Sequence, residues 1–194
     1  MEDKFILGAI DSPTETEIPD KYILDYDYSI LNQGNIGSCV AHALSCMKSY
    51  IDGTNTDNMY SVGFIYANRQ EDDFKGTGMI TREALKNIVK YGDCKKKSFP
   101  VNEEYPSIVH TLEKYGKEKL LSEANNHKSL AYIRLDRENI KEYLFKYQKP
   151  VLITVRVYEN FYEANINGGV IPKEPKGKKE VAMLYCALDI KKIH

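Results

Sequence analysis

One cysteine of the chain, Cys39, stands where a nucleophile could be activated. It follows the turn-rich stretch Gln33-Gly34-Asn35-Ile36-Gly37 and Ser38, at the predicted start of a helix. Unsatisfied amides and the helix dipole at such a position favour an anion, here the thiolate. The side-chain amide of Gln33, six residues earlier, could donate to an oxyanion together with the backbone amide of Cys39. The residue types allow thiolate attack on a carbonyl, but a structural cysteine buried after a turn explains the same spacing.

Four histidines are the candidates for a general base beside this thiol. His42 follows Cys39 by one helical turn, and we expect it to pack among the helices, because a base needs aim as well as proximity. His110 and His127 fall in a polar stretch and are expected at the surface. His194 is expected to fray.

The other cysteines predict neither a disulfide framework nor a metal site. Cys46 is expected in the core of the Cys39 helix, Cys94 in a loop and Cys186 within a strand, none of them catalytic. The sequence contains no Cys-x-x-Cys pair, no phosphate loop and no dinucleotide fingerprint. We therefore expect free thiols, a reducing cytoplasmic setting, and no metal or cofactor.

The charge balance argues against nucleic acid as a partner. The chain holds 27 Lys and Arg against 28 Asp and Glu, a formal net charge of -1, whereas nucleic-acid binding needs a basic excess. The runs Lys95-Lys96-Lys97 and Lys176-Gly177-Lys178-Lys179 are interpreted as solvated loops. No stretch reaches the ~20 apolar residues of a membrane helix, and no basic-then-apolar leader is present at the start.

Helices come first and strands second along the chain, which predicts an α+β protein. Ser38 is expected to be the N-cap of a helix whose apolar residues recur at spacings of three and four until Gly53 stops it. Further helices are predicted over 62–69, 81–90 and 138–147, with a loop over 72–78. A buried strand is predicted over 151–157, a turn at Gly168-Gly169 and a second strand over 181–188.

The segment Gln33-Gly34-x-x-Gly37-Ser38-Cys39 resembles the nucleophile segment of papain-like cysteine peptidases, in their bacterial and viral branch. Other pieces occur in the family's order. Residues 18–28 are similar to the start of the mature domain, and residues 59–69 to the second helix. Residues 76–80 are similar to the glycine wall of the cleft, and residues 150–161 and 169–172 to strands of the β-barrel.

The resemblance implies a two-lobe fold with an extended peptide in the cleft between the lobes. Residues 1–17 would be an N-terminal extension, and 18–194 a single domain. Its helical lobe would span about 18–125, and an incomplete antiparallel β-barrel lobe about 126–194. Cys39 would be the nucleophile and Gln33 an oxyanion donor, with a peptide or protein as substrate. The implied cleft residues are Gly37, Ser38, Gly76, Thr77, Gly78 and Met79.

The chain departs from the family where the catalytic histidine is expected. The family has a segment like Gly-His-Ala-Met-Leu, and this chain has Glu180-Val181-Ala182-Met183-Leu184, so Val181 holds the histidine position. Valine cannot transfer a proton. The sequence stops at His194 without the orienting asparagine, which implies truncation or a frameshift and an unpaired barrel edge prone to self-association. We therefore expect little or no peptide hydrolysis; the alternative is a non-catalytic, peptide- or partner-binding pseudopeptidase.

Overall fold

The computed structural model describes residues 17–25, 31–69, 78–100, 112–168, 170–187 and 189–191. Several features predicted above lie outside these ranges: nearly all of the N-terminal extension, Gly76 and Thr77, His110, Gly169 and His194. The side chains of β3 and β4 (defined below) are likewise not described.

Five α-helices carry the helical part of the described chain. They are α1 Cys39–Ile51, α2 Val62–Ala67, α3 Thr81–Lys90, α4 Lys117–Asn125 and α5 Ile140–Tyr147. Residues 112–114 are also helical. Single 3₁₀ turns span Thr56–Asn58 and Arg137–Asn139, and a longer 3₁₀ helix spans Glu159–Asn165.

The helix predictions around the cysteine are confirmed. α1 ends before Gly53, whose φ of +62° favours glycine. α3 has the predicted bounds. α2 stops two residues short of the predicted Arg69, because Asn68 bends its side chain back to the carbonyl of Phe64 at 2.8 Å. The last helix starts as a 3₁₀ turn over Arg137–Asn139 before α5.

The main core lies where α1 packs against α2 and α3. α1 contributes Val40, Ala41, Ala43 and Leu44, all buried, and Phe64 and Tyr66 of α2 face them with 1% exposure each. Leu120 and Ala124 of α4 close the same cluster. A smaller cluster around Leu24, Leu144 and Val151 joins β1, α5 and β2.

The described strands form two separate pairs. β1 Lys21–Ile23 is antiparallel to β4 Asp189–Lys191, and β2 Val151–Tyr158 is antiparallel to β3 Lys179–Ala187. The α+β class is confirmed. Over the described residues the strands make two two-stranded sheets and no barrel.

β2 differs from the predicted buried strand. Val151 and Val157 are buried, but Thr154 and Arg156 between them are exposed. This alternation of exposure is typical of a strand with one face in solvent. The run of β-branched residues hides the alternation in the sequence. None of the helices in the described ranges has the length and apolar character that crossing a bilayer requires.

Candidate active site

Cys39 is the first residue of α1, as predicted. Its thiol is free and its side chain is partly exposed, with the remainder packed against the helical core. Neighbouring Ile36 and Leu31 pack against the same core and hold the preceding segment to the helix. The sulfur therefore lies at the border between the core and solvent, where a thiol is both held in place and reachable.

A tight turn delivers the chain to Cys39. Gly34 has a φ of +58°, and its N–H donates to the side-chain oxygen of Asn32 at 2.9 Å. The N–H of Ile36 donates to the carbonyl of Gln33 at 3.3 Å, and that of Ser38 to the carbonyl of Ile36 at 2.8 Å. A residue with a Cβ is disfavoured at Gly34 by this backbone conformation. The turn explains the glycine in the motif.

Gln33 is held within this turn. Its side-chain Nε2 donates to the carbonyl oxygen of Ile36 at 2.9 Å, and the side chain is partly buried. An amide nitrogen carries two hydrogens, and among the described residues the second one has no partner. An oxyanion would have to take that second N–H.

Ser38 occupies the N-cap position but does not cap the helix with its side chain. The hydroxyl is buried, with 1% exposure of the residue, and lies 3.1 Å from Nδ1 of His42. The expected hydroxyl-to-amide cap is therefore wrong. The Ser38 hydroxyl contacts His42, one helical turn later, instead of a backbone amide. The first N–H groups of α1 therefore receive no hydrogen bond from this side chain.

His42 turns back toward the start of its own helix. Nδ1 lies 3.0 Å from the carbonyl oxygen of Ser38, which also accepts the backbone N–H of His42. Since a carbonyl oxygen only accepts, this bond requires the proton on Nδ1, and the neutral ring then carries its lone pair on Nε2. Burial lowers the pKa of His42, and the Ser38 carbonyl partly opposes this shift.

The strand that carries Val181 lies against the helix that carries Cys39, since β3 contacts α1. Arg156 pairs with Ala182 and Tyr158 with Lys179, so β3 has one extra residue between these pairs. The irregularity falls at Glu180 and Val181, and a bulge of this kind changes the direction of the strand. Position 181 therefore lies on a strand that contacts the helix of Cys39.

Two of the residues predicted to line a cleft, Gly78 and Met79, lie in the described part of the chain, and buried Arg69 anchors the first of them. Its Nη1 donates to the carbonyl of Gly78 at 3.2 Å, and its guanidinium stacks 3.7 Å from the ring centroid of Tyr66. Gly78 has a φ of +110°, and Met79 packs against the helical core. Sequence reasoning missed Arg69 as the anchor of this segment.

Two other cysteines stand apart from this geometry. Cys94 is fully buried, and burial raises the pKa of its thiol far above the usual range. Cys46 is half-buried in the middle of α1 and forms no disulfide. Cys186 lies in β3 opposite Leu152. Among the described thiols, Cys39 alone begins a helix.

A second polar group, at the far end of α1, was not predicted. Lys48 is 4% exposed and pairs with Asp52 at 2.9 Å, and the hydroxyl of Tyr60 donates to the same carboxylate oxygen at 2.5 Å. Lys95 was expected in a solvated loop but lies half-buried, with Nζ 3.7 Å from the Tyr60 ring centroid. His127, expected at the surface, is also half-buried and meets that ring edge-on.

Comparisons with known proteins find a structural relative whose activity is known. No protein-family model and no curated protein sequence matches the chain. Among solved structures, the chain is similar to the crystal structure of xylellain, a cysteine protease from Xylella fastidiosa, with a TM-score of 0.70 and 22% sequence identity. The match covers 91% of this chain and 71% of that one. The chain therefore shares the fold of this cysteine protease.

Proposed function

We propose that the chain is a papain-like cysteine peptidase by descent, with Cys39 as nucleophile and Gln33 as oxyanion donor, that hydrolyses peptides slowly or not at all. One observation carries the proposal: the partly exposed thiol of Cys39 opens α1 directly after a tight turn, in a fold shared with a cysteine protease. In this proposal the helices form one lobe, over about 18–125, and the strands part of a second. The substrate peptide lies between them, and a reducing cytoplasmic compartment keeps the thiol free.

The first step needs only groups near the turn. The thiolate sulfur of Cys39 forms a bond to the carbonyl carbon, and the π electrons of the carbonyl move to its oxygen. The backbone N–H of Cys39 and the second Nε2 hydrogen of Gln33 stabilise that oxyanion. A thiolate at a helix N-terminus could therefore form a covalent adduct with an electrophilic carbonyl.

The second step needs an acid. Collapse of the adduct expels the amine, and the amine nitrogen must take a proton as its bond to carbon breaks. Valine at position 181 has no proton to give. The adduct then returns to thiolate and peptide more often than it proceeds, and loss of one member of such a catalytic set removes several orders of magnitude of rate.

The test separates thiol activation from turnover. The whole chain is treated with a peptide bearing an electrophilic warhead, and mass spectrometry locates the label among the four cysteines. Unstructured peptides are then assayed for cleavage, with Cys39→Ala as the control. We expect label on Cys39 and cleavage near the background of the control. Label spread evenly over the cysteines would contradict the nucleophile assignment, and cleavage that depends on Cys39 would contradict the lost turnover.

A second candidate is a pseudopeptidase that holds a peptide or a protein partner without cutting it. The valine at position 181 favours this reading. Another copy of the chain is the partner we propose for an unpaired strand edge, because such edges recruit further strands. If Cys39→Ala binds unstructured peptides as tightly as the parent chain and neither cleaves them, the binding function is favoured.

A further inference from the structure

A pocket opens at the end of α1 opposite Cys39. Its volume is about 570 Å³, within the range of small-molecule sites. The 13 residues of α1 separate it from the thiol, about 20 Å along the axis. We call it the α1-end pocket; the lining side chains used below are Asn55, Asn58, Lys95, Lys97, Glu123 and His127.

The lining carries an excess of positive charge. Lys95 and Lys97 both line the pocket, and among the described residues no carboxylate oxygen lies within ion-pair distance, 4.0 Å, of either ammonium group. Glu123 is the acid of the lining, and its Oε1 already accepts the backbone N–H of Lys95 at 2.9 Å. The two ammonium groups therefore outweigh one partly engaged carboxylate.

The residues behind the lining do not cancel this charge. Lys48 and Asp52 neutralise each other at 2.9 Å. Asp93 is fully buried, and neither of its carboxylate oxygens has a hydrogen-bond partner. Burial raises the pKa of Asp93 well above its usual range, which disfavours the charged form of the carboxyl group near Lys95.

An aromatic ring holds one of the pocket's cationic groups in place. The ring of Tyr60 is 1% exposed, and its centroid lies 3.7 Å from Nζ of Lys95 and 4.5 Å from Nζ of Lys48. His127 packs against the same ring with centroids 5.5 Å apart. Such cation–π contacts hold a lysine head group in place without using its N–H donors.

Neutral donors complete the pocket. The side-chain oxygen of Asn55 accepts from the backbone N–H and Nδ2 of Asn58 at 3.1 and 3.0 Å. That assignment leaves the amide N–H groups of Asn55 as donors. Two ammonium groups and an amide offer more hydrogen-bond donors than the two oxygens of a carboxylate ligand need. They suit a phosphate, which has more acceptor oxygens.

We propose that the α1-end pocket binds a phosphate group, either inorganic phosphate or the phosphate monoester of a small molecule, through Lys95, Lys97 and Asn55. The site is separate from Cys39, and this proposal does not depend on the proposed peptidase chemistry.

His127 provides a built-in reporter. Burial lowers its pKa, and the positive charges of Lys95 and Lys48 lower it further, against the opposing charges of Glu123 and Asp52. A bound phosphate adds negative charge beside the ring and favours the imidazolium. The pKa of His127, followed by NMR and assigned with His127→Gln, should therefore rise when phosphate replaces chloride at constant ionic strength.

The decisive variant is Lys97→Glu, because Lys97 is exposed and its replacement spares the core. Lys141→Glu on α5 makes the same charge change at another exposed position. We expect calorimetry on the whole chain to give an affinity for inorganic phosphate that is at least about tenfold weaker in Lys97→Glu, equivalent to one lost charge-assisted bond. The affinity of Lys141→Glu should be unchanged.

Glycerol phosphate and acetate are tested as two further ligands. Tighter binding of glycerol phosphate than of inorganic phosphate would assign the monoester as source, and the reverse order inorganic phosphate. Equal effects of phosphate, acetate and chloride, or equal effects of the two variants, would overturn the proposal.

Discussion

The Nδ1 atom of His42 lies 3.0 Å from the carbonyl oxygen of Ser38, the residue directly before Cys39. That carbonyl also accepts the first main-chain hydrogen bond of α1, from the N–H of His42. The His42 side chain therefore holds the peptide group between Ser38 and Cys39, whose N–H belongs to the proposed nucleophile. The contact makes His42 a positioning residue for the turn.

We therefore expect His42→Ala to slow alkylation of Cys39 by iodoacetamide about fivefold, the equivalent of one net hydrogen bond of ~1 kcal/mol. His42→Gln should recover part of the rate, because its amide can donate to the same carbonyl. His127→Ala, at the other end of α1, is the control and should leave the rate unchanged. An unaltered rate in His42→Ala would remove the positioning role.

Val181→His should raise peptide cleavage. The substitution returns an imidazole to the strand that packs against α1, and a positioned acid–base group typically contributes ~100-fold or more. An imidazole introduced as a single substitution is not optimally aimed at the thiol, so we expect a smaller gain, about tenfold over the parent chain. Ala182→His, one residue further along the same strand, is the matched control because it adds the same imidazole at a neighbouring position. A gain that persists in the Cys39→Ala background would contradict the mechanism.

Tyr60→Phe should destabilise the chain while Tyr66→Phe should not. The Tyr60 hydroxyl bonds the carboxylate of Asp52, whereas the Tyr66 hydroxyl is buried without a partner. We expect a loss of about 1 kcal/mol for Tyr60→Phe at pH 7 in urea unfolding, and none for Tyr66→Phe. Equal losses in the two variants would refute this difference.

The cost of Tyr60→Phe should depend on pH. Burial tends to raise the pKa of Asp52, but the hydrogen bonds from Tyr60 and Lys48 outweigh it and lower the pKa. A lowered carboxyl pKa stabilises the fold above the pKa of the unfolded chain, and this stability is lost as pH falls through the folded value. The difference between Tyr60→Phe and the parent chain should therefore shrink in acid.

Asp93→Asn should remove a pH dependence of the opposite sign. Because burial raises the pKa of Asp93, the folded chain keeps a proton that the unfolded chain loses, and stability falls as pH rises above the ordinary carboxyl range. Asparagine mimics the protonated acid. The variant should gain stability relative to the parent chain between pH 5 and pH 8. Parallel unfolding free energies over that range would show that Asp93 is ionised in the fold.

Gly92→Ala should cost more than Gly53→Ala, although both glycines have positive φ. A Cβ at Gly92 would come within 1.8 Å of the carbonyl oxygen of Ala124, whereas one at Gly53 would meet nothing within 4 Å. We expect about 1 kcal/mol for Gly53→Ala from backbone strain alone, and at least about 3 kcal/mol for Gly92→Ala, where α4 must also move. Similar melting temperatures for the two variants would contradict this reading.

Local patterns were sufficient for α1. Its apolar spacing and the glycine that follows it are properties of neighbouring residues, and the start at Cys39 follows from them. α4 was missed because its nine residues bury only Leu120 and Ala124, too few for a periodic signal. The pairing of β1 with β4 was also missed, since strands this short gain their identity from a distant partner.

The candidate site shows the same limit. The types and order of Gln33, Ser38 and Cys39 predicted the turn and the helix start, but the Ser38 hydroxyl went to His42 instead of a backbone amide. Lys48 looks like a solvated residue in sequence. It is buried because Asp52 lies one turn on and the Tyr60 ring, from another segment, covers it. Contacts between distant segments decide such positions, and no local pattern reports them.

The antiparallel pairing of Lys21–Ile23 with Asp189–Lys191 has a consequence for biosynthesis. β1 leaves the ribosome long before β4 has been translated. Until then β1 lacks the strand with which it forms hydrogen bonds. Closing so large a loop carries a high entropic cost and slows the final step. The helices around α1 can assemble during translation, but β1 can pair with β4 only afterwards, so the edge of β1 stays without this partner until residues 189–191 have been made.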